Sequence, residues 1–112
     1  MTTELKDEVV AELKPIAPRK VILFGSHARG TSTDESDIDL YVVTNDDFMP
    51  RNWREKNAVY LKVARQLQKF LRKHPTDLIA HTKKMHDRFV ELNSSFAKDV
   101  LHNGIVLYES DQ

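Results

Sequence analysis

One short segment restricts the fold of this 112-residue chain more than any other. From Asp37 to Thr44 polar and apolar residues alternate, which is typical of a β-strand with one buried face. Because every second side chain is apolar, Asp37 and Asp39 must project together from the opposite face. An unpaired buried carboxylate costs several kcal/mol, so this face requires either solvent or neutralising cations.

The rest of the chain alternates between helical and strand patterns. Amphipathic spacing and capping residues predict helices, and short β-branched runs that end at turn residues predict strands. Helices are predicted at Glu4–Leu13, Trp53–Lys73, Lys83–Leu92 and Ser95–His102, with one helical turn between Ser26 and Gly30; strands are predicted at Lys20–Phe24, Asp37–Thr44, Thr76–Thr82 and Ile105–Tyr108. This order predicts an α/β (α+β) fold in which helices pack against a small sheet.

Length and composition limit the classes of protein to consider. The length predicts a single domain over residues 1–112. A chain that is 40% hydrophobic and 30% charged, with neither a long apolar run nor an apolar leader, is expected in the cytoplasm without a membrane anchor. The absence of cysteine excludes disulfides, thiolate metal sites and thiol nucleophiles.

The net charge of zero conceals two oppositely charged segments. Thr31–Asp47 contains six acids and no Lys or Arg, whereas Arg51–His74 contains eight Lys or Arg and one Glu. Two such segments could together attract metal ions and phosphates, although the charge pattern alone does not distinguish this from two solvated surface faces. Lys62, Arg65, Lys69 and Arg72 form a basic helical stripe. We do not expect it to bind nucleic acid, because no aromatic residues interleave to stack on bases.

The turn after the first strand could bind phosphate. Gly25 allows a tight turn and a close backbone approach to a ligand, and the helical turn that starts at Ser26 presents free N–H groups. Gly25 and Gly30 have the spacing of a Walker loop, but Thr31 occupies the position of its lysine, which argues against NTP hydrolysis at such a loop. A plain tight turn remains the alternative.

The acids could bind divalent cations. Asp37 and Asp39 lie about 6.6 Å apart along one strand face, where their carboxylates can share a cation such as Mg²⁺. A third acid, Asp77, opens another predicted strand. If that strand lies beside the strand of Asp37 and Asp39, three carboxylates converge, and they require cations to offset their repulsion. A solvated strand edge is the alternative for an isolated pair of acids.

Other polar and aromatic residues have simpler interpretations. Arg29 is expected to form a structural ion pair, with a phosphate contact as the alternative. The spacing of His81 and His86 does not match zinc ligands, so we interpret both as surface or packing residues. Aromatic residues at apolar helical positions are predicted to build the core: Trp53, Tyr60, Phe70, Phe89 and Phe96.

The sequence resembles the minimal nucleotidyltransferases of the DNA polymerase β-like superfamily. Their signature is Gly-Ser, ten residues and then Asp-x-Asp, and this chain has FGSHARG at Phe24–Gly30 and SDIDLYVV at Ser36–Val43. The resemblance continues through Asp77, which matches the third acid, and into FAKDVLHNGIVLYE at Phe96–Glu109. It implies the polymerase β-like fold, a mixed sheet with packed helices.

The resemblance also implies an activity and a role for each site residue. The expected reaction is Mg²⁺-dependent transfer of a nucleoside monophosphate, AMP from ATP or another NTP, to a hydroxyl with release of pyrophosphate. Gly25 and Ser26 would bind the phosphates. Asp37, Asp39 and Asp77 would be the catalytic and metal-binding residues for two Mg²⁺ ions, with Asp77 helping to deprotonate the acceptor.

Relatives of this kind suggest a partner. Minimal nucleotidyltransferases are often encoded beside HEPN-domain toxins and act as their antitoxins, in some cases by transferring AMP to a tyrosine of the toxin. The resemblance therefore implies a protein adenylyltransferase-like enzyme whose acceptor is a nearby-encoded HEPN protein. A non-catalytic antitoxin that binds the toxin directly is the alternative, and self-association is compatible with either.

Overall fold

A computed structural model describes residues 3–33 and 35–110, so Asp34 and the ends of the predicted 1–112 domain lie outside the described residues. The helices are α1 (Thr3–Leu13), α2 (Ser26–Arg29), α3 (Trp53–Gln66), α4 (Gln68–Lys73), α5 (Lys83–Leu92) and α6 (Ser95–Lys98); the strands are β1 (Lys20–Phe24), β2 (Ile38–Val43), β3 (Thr76–His81) and β4 (Ile105–Glu109). A 3₁₀ turn follows α1 at Lys14–Ile16, and a π-helical turn follows α6 at Asp99–Asn103. No helix within the described ranges is both long and apolar enough to span a membrane.

The four strands form one mixed sheet in the order β3-β2-β1-β4. Strand β1 runs antiparallel to β2 and β4, whereas β2 and β3 are parallel. This register places Asp39 of β2 between Phe24 of β1 and Asp77 of β3. The expected fold class, a small mixed sheet with packed helices, is confirmed.

Helices cover both faces of the sheet. On one face, α1, α3 and α4 contribute Val9, Leu13, Val63 and Phe70 to the larger core, which also contains the apolar face of β2. The other face is covered by α5 and the π-helical turn, and its smaller core includes Ile22, Phe24, Tyr41, Val43 and Val100. Both faces of β2 are therefore buried, so the prediction of a strand with one buried face is wrong at Tyr41 and Val43, which are fully buried in the smaller core. Asp39, near the start of the strand, stays partly exposed on this second face.

The helix predicted over Trp53–Lys73 is interrupted, so that prediction is wrong at Leu67, where α3 ends and α4 follows. The N–H of Phe70 donates to the Glu12 carboxylate at 3.3 Å instead of continuing the helical ladder, and Gln66 donates its side-chain N–H to the Glu12 carbonyl. These contacts with α1 stabilise a bend that buries both Leu67 and Phe70 completely. At the start of α3, Asn52 caps the helix by accepting the Glu55 N–H at 2.9 Å.

The helix predicted over Ser95–His102 is also shorter than expected, because α6 changes to the π-helical turn at Asp99. The wider turn ends at Gly104, whose N–H donates to the Val100 carbonyl at 3.1 Å. A Cβ at Gly104 would collide with that carbonyl and with Ile22 of β1. The change of helix type therefore accompanies a close approach of the chain to the sheet.

The aromatic residues were predicted to build the core, and this is correct only in part. Phe70 is fully buried and Phe89 partly buried. Trp53 is 76% exposed because it is the first residue of α3, and Tyr60 is exposed because the buried stripe follows its neighbour Val59 instead. Phe96 is also exposed, at 46%.

Candidate active site

Two carboxylates meet where β2 and β3 begin. Asp39 and Asp77 are paired residues of these parallel strands, so their side chains project from the same face. The negative charge of Asp77 acts directly on the Asp39 carboxyl. Asp37 is one residue before β2 and is exposed, and its charge still acts on Asp39. The structure therefore brings Asp39 and Asp77 together most directly, across strands, with Asp37 beside them.

The environment of Asp39 disfavours its negative charge. Burial raises the pKa of this carboxyl above its usual value, and the charges of Asp77 and Asp37 raise it further. The hydrogen bond with Asp77 also stabilises the protonated form, whereas His27 acts in the opposite direction. A raised pKa with these causes indicates a site that a cation would stabilise.

Gly25 determines how closely the chain passes this carboxylate. Its φ of 74° lies in the region that favours glycine, and a Cβ would collide with the Asp39 carboxylate oxygen. The Gly25 carbonyl accepts the N–H groups of Ala28 and Arg29, both at 3.1 Å, and so begins the α2 turn. Gly25, rather than Ser26, occupies the capping position, and Ser26 is the first helical residue.

Ser26 is the first residue of α2. It is only partly buried, and its hydroxyl makes no hydrogen bond to the described residues. The turn of Gly25 and Ser26 lies on the β1 side of Asp39, and Asp77 lies on the β3 side. The predicted phosphate turn and the predicted acids are thus neighbours at one end of the sheet.

His27 is a site residue that no sequence pattern indicates as one. Its Nε2–H donates to the Ser36 carbonyl at 3.1 Å, which links α2 to the residue before Asp37. Within the loop, the Ser36 hydroxyl accepts the Thr33 N–H at 2.9 Å. No spacing rule predicts a contact between these positions, so only the folded chain reveals it.

Arg29 forms the structural ion pair that we expected. Its guanidinium lies 3.7 Å from the Asp99 carboxylate, which connects the end of α2 with the π-helical turn. This contact fixes α6 and the turn beside the acidic end of the sheet.

The donor set suits magnesium in its chemistry. Carboxylate oxygens are the protein ligands that Mg²⁺ prefers, and Asp37, Asp39 and Asp77 supply them on one edge. Among residues 3–33 and 35–110, no three His, Cys, Asp or Glu side chains already form a group that could hold a metal ion. The three acids suit Mg²⁺ because they offer carboxylate oxygens and because a cation would offset the repulsion between them. The side chain of Asp37 would have to turn inward to complete a set of three.

His81 and His86 pack around Tyr41, and His81 pairs with Val43 at the end of β2 opposite Asp39, in agreement with their interpretation as packing residues. The Tyr41 hydroxyl hydrogen-bonds with His81 Nδ1 at 3.0 Å and with His86 Nδ1 at 2.8 Å. Because a hydroxyl has one proton, one of the two Nδ1 atoms must be the donor. Burial lowers the pKa of His81 to about 4 and also lowers that of His86, and it raises the pKa of Tyr41.

The sequence matches a known family over almost its whole length. A sequence model of the family described as "Polymerase beta, Nucleotidyltransferase" matches residues 7–112. A Methanocaldococcus jannaschii protein named "Putative protein adenylyltransferase MJ0604" is 35% identical over 92 residues, which are 80% of this chain and 78% of the relative.

Solved structures share the fold. A chain in a crystal structure of a toxin-antitoxin with AMP-PNP has a TM-score of 0.62 at 21% identity, covering 96% of this chain and 75% of that chain. A chain in the structure of the tri-AMPylated Shewanella oneidensis HEPN toxin in complex with MNT antitoxin has a TM-score of 0.52 at 18% identity, covering 100% of this chain and 76% of that chain. Together with the match over residues 7–112, the mixed sheet and its acidic edge lead to one conclusion: this chain belongs to the polymerase β nucleotidyltransferase family.

Proposed function

We propose that this protein transfers AMP from ATP to a hydroxyl group on a partner protein and releases pyrophosphate. The observation that carries the proposal is the pairing of Asp39 with Asp77 directly beside the Gly25 turn. This arrangement puts mutually repelling acids next to backbone that can bind phosphate, which is the requirement of a phosphoryl-transfer site. The similarity to a protein adenylyltransferase supports AMP as the group transferred.

Each residue has a role in this reaction. The Gly25 backbone and the Ser26 hydroxyl bind the terminal phosphates, and the collision predicted for a Cβ at Gly25 explains why glycine is required there. Asp37, Asp39 and Asp77 would hold two Mg²⁺ ions, whose positive charge would offset the negative charge that develops on the α-phosphate and on the leaving pyrophosphate.

The bond changes are those of an in-line displacement. The acceptor oxygen forms a bond to the α-phosphorus, and the bond from that phosphorus to the bridging oxygen of the pyrophosphate breaks. Asp77, at the outer strand of the acid pair, takes the proton of the acceptor hydroxyl. Little covalent chemistry is required of the protein, so positioning and charge dominate its contribution.

We infer further that the acceptor is a HEPN-domain toxin encoded nearby, which makes this chain an antitoxin of the cytoplasm. The support is the shared fold with chains from toxin-antitoxin structures, one of which contains a tri-AMPylated HEPN toxin. A protein that modifies another protein also has no need of a deep substrate pocket, in keeping with the open edge on which Asp77 lies.

Labelled nucleotides test the reaction. The purified protein is incubated with Mg²⁺, the neighbouring HEPN protein and ATP labelled at either the α- or the γ-phosphate. We expect only the α-label to appear on the partner, and we expect Asp39→Asn to abolish it. Asp46→Asn is the matched control, because Asp46 follows the other end of β2 and is paired with Lys62.

Two results would contradict the proposal. Release of γ-phosphate without labelling would indicate hydrolysis rather than transfer. A partner that is bound but never labelled would favour the alternative function, an antitoxin that neutralises its toxin by contact alone.

A further inference from the structure

An aromatic ring lies exposed beside the acidic end of the sheet. Phe96 of α6 is 46% exposed, although it contacts two other phenylalanines. Its ring centroid is 5.6 Å from that of Phe24 and 5.9 Å from that of Phe89, both in edge-to-face geometry. Such contacts stabilise the ring while leaving nearly half of its surface open.

Phe24 connects this ring to the site. It is the last residue of β1, directly before Gly25, and it pairs with Asp39 across the antiparallel ladder. Side chains of directly opposed residues lie on the same face of a sheet, so Phe24 and Asp39 are neighbours. Phe96 is therefore separated from the Asp39 side chain by one phenylalanine.

The segment that carries Phe96 is fixed in place. Ser94 caps α6 by accepting the Ala97 N–H at 3.0 Å, and both Ala97 and Val100 are fully buried. The ion pair between Arg29 and Asp99 adds a second connection to α2. The ring is consequently carried by a segment that is anchored by two buried residues and linked to α2, so a ligand that packs on it meets a surface already formed.

The strand order separates the two sides of the site. Asp77, which we propose to receive the acceptor proton, lies on β3, whereas Phe24 and the Gly25 turn lie on β1, on the opposite side of Asp39. Phe96 contacts β1 directly, through Phe24, and reaches Tyr41 of β2 and His81 of β3 only through Phe89. An aromatic ring on the phosphate-binding side is placed for the nucleotide rather than for the acceptor.

We propose that Phe96 is the stacking surface for the base of the nucleotide whose phosphates are bound at Gly25 and Ser26. This inference rests on the proposed function and adds the base-binding part of the site. Every nucleobase has a flat π face, so stacking on Phe96 would give affinity with little discrimination between bases. Removing the ring should weaken binding about tenfold or more.

Two ligands that differ only in the nucleoside separate base contacts from phosphate contacts. The affinities of Mg²⁺ with a non-hydrolysable ATP analogue and of Mg²⁺ with inorganic tripolyphosphate are measured by calorimetry. We expect Phe96→Ala to weaken the analogue about tenfold without changing tripolyphosphate, and Phe96→Trp to retain the affinity of the wild type. Leu92→Ala is the matched control, because Leu92 is a 65% exposed apolar residue at the end of α5, and it should change neither affinity.

The outcomes distinguish this inference from the proposed function. Wild type that binds neither ligand would overturn both. An equal loss of affinity for both ligands in Phe96→Ala would show that Phe96 stabilises the folded site and does not contact the base. Unchanged analogue binding, with or without slower transfer to the partner protein, would overturn the base contact and move Phe96 to the acceptor side or outside the site.

Discussion

Two carboxylates near opposite ends of β2 have contrasting surroundings. Asp46, just after the strand, accepts the Thr44 hydroxyl at 2.9 Å and lies 3.0 Å from the Lys62 ammonium. Asp39, near the start of the strand, faces Asp77 and Asp37 and has a raised pKa. The first carboxylate is paired with a cation of the chain itself, whereas the second faces like charges, which the proposed cation site would offset.

This contrast separates a stabilising residue from a functional one. A carboxylate that is paired by a cation and a hydroxyl contributes to folding, whereas acids that repel one another reduce stability and persist at sites where a ligand offsets the repulsion. The same substitution at the two positions should therefore change different properties.

The largest effect is expected for Asp39→Asn. Loss of this carboxylate should reduce AMP transfer by on the order of a thousandfold or more, because the remaining acids cannot hold the cations that offset charge in the transition state. The free energy of unfolding should be unchanged or slightly raised, since the repulsion with Asp77 and Asp37 is removed. Initial rates with α-labelled ATP and urea titrations measure the two quantities. A variant that retains activity would place the reaction elsewhere.

Gly25→Ala tests the close approach of the Gly25 turn to the same carboxylate, Asp39. The new Cβ would collide with the Asp39 carboxylate at a φ that alanine adopts only with strain, so we expect a loss of about 2–4 kcal/mol in stability and loss of transfer. Gly30→Ala is a matched control, because Gly30 has nearly the same φ of 76° but open space around it. Its cost should be only about 1 kcal/mol, with activity retained. Equal effects of the two substitutions in urea titrations would contradict the proposed contact.

Asp46→Asn should have the opposite effect to Asp39→Asn: a loss of stability with activity retained. The substitution removes the charge that pairs with Lys62 and weakens the hydrogen bond from Thr44, which is fully buried. We expect the free energy of unfolding to fall by about 1–2 kcal/mol while transfer per folded molecule stays the same. A substantial loss of activity without a loss of stability would mean that the two carboxylates do not differ as described.

A smaller effect concerns Tyr41 and His81, which lie between the two carboxylates. Because the pKa of His81 falls to about 4 in the folded protein, the unfolded chain binds a proton there between pH 6.5 and about 4 that the folded protein does not. The free energy of unfolding should therefore fall as the pH drops through that window, by about 1 kcal/mol from His81 between pH 7 and pH 5 after allowance for its partial exposure. Denaturation curves of wild type and His81→Gln at both values measure this difference, which vanishes if His81 is not a buried neutral residue.

Local patterns in the sequence predict much of the site. The alternation after Asp37 predicts a strand with Asp37 and Asp39 on one face, and the glycine before Ser26 marks the turn. Local patterns do not predict the pairing of Asp39 with Asp77, because strand direction and register depend on contacts between distant parts of the chain; only the family resemblance implied that Asp77 joins the site. The contact of His27 with Ser36 joins positions that no periodic rule relates.

The same limit explains the errors in the fold. The helix break at Leu67 depends on Glu12, which is 58 residues away from the Phe70 N–H that it accepts. The exposure of Phe96 depends on how α6 packs against β1. The presence of an apolar residue at a helical position does not predict that packing.

Ligand-induced stabilisation tests most directly whether the carboxylates at the two ends of β2 differ in function. The melting temperatures of wild type, Asp39→Asn and Asp46→Asn are measured with and without Mg²⁺ plus a non-hydrolysable ATP analogue. We predict that the ligands raise the melting temperature of wild type and of Asp46→Asn by similar amounts and leave that of Asp39→Asn unchanged. An equal rise in Asp39→Asn would contradict the assignment of the acidic edge as the cation and nucleotide site.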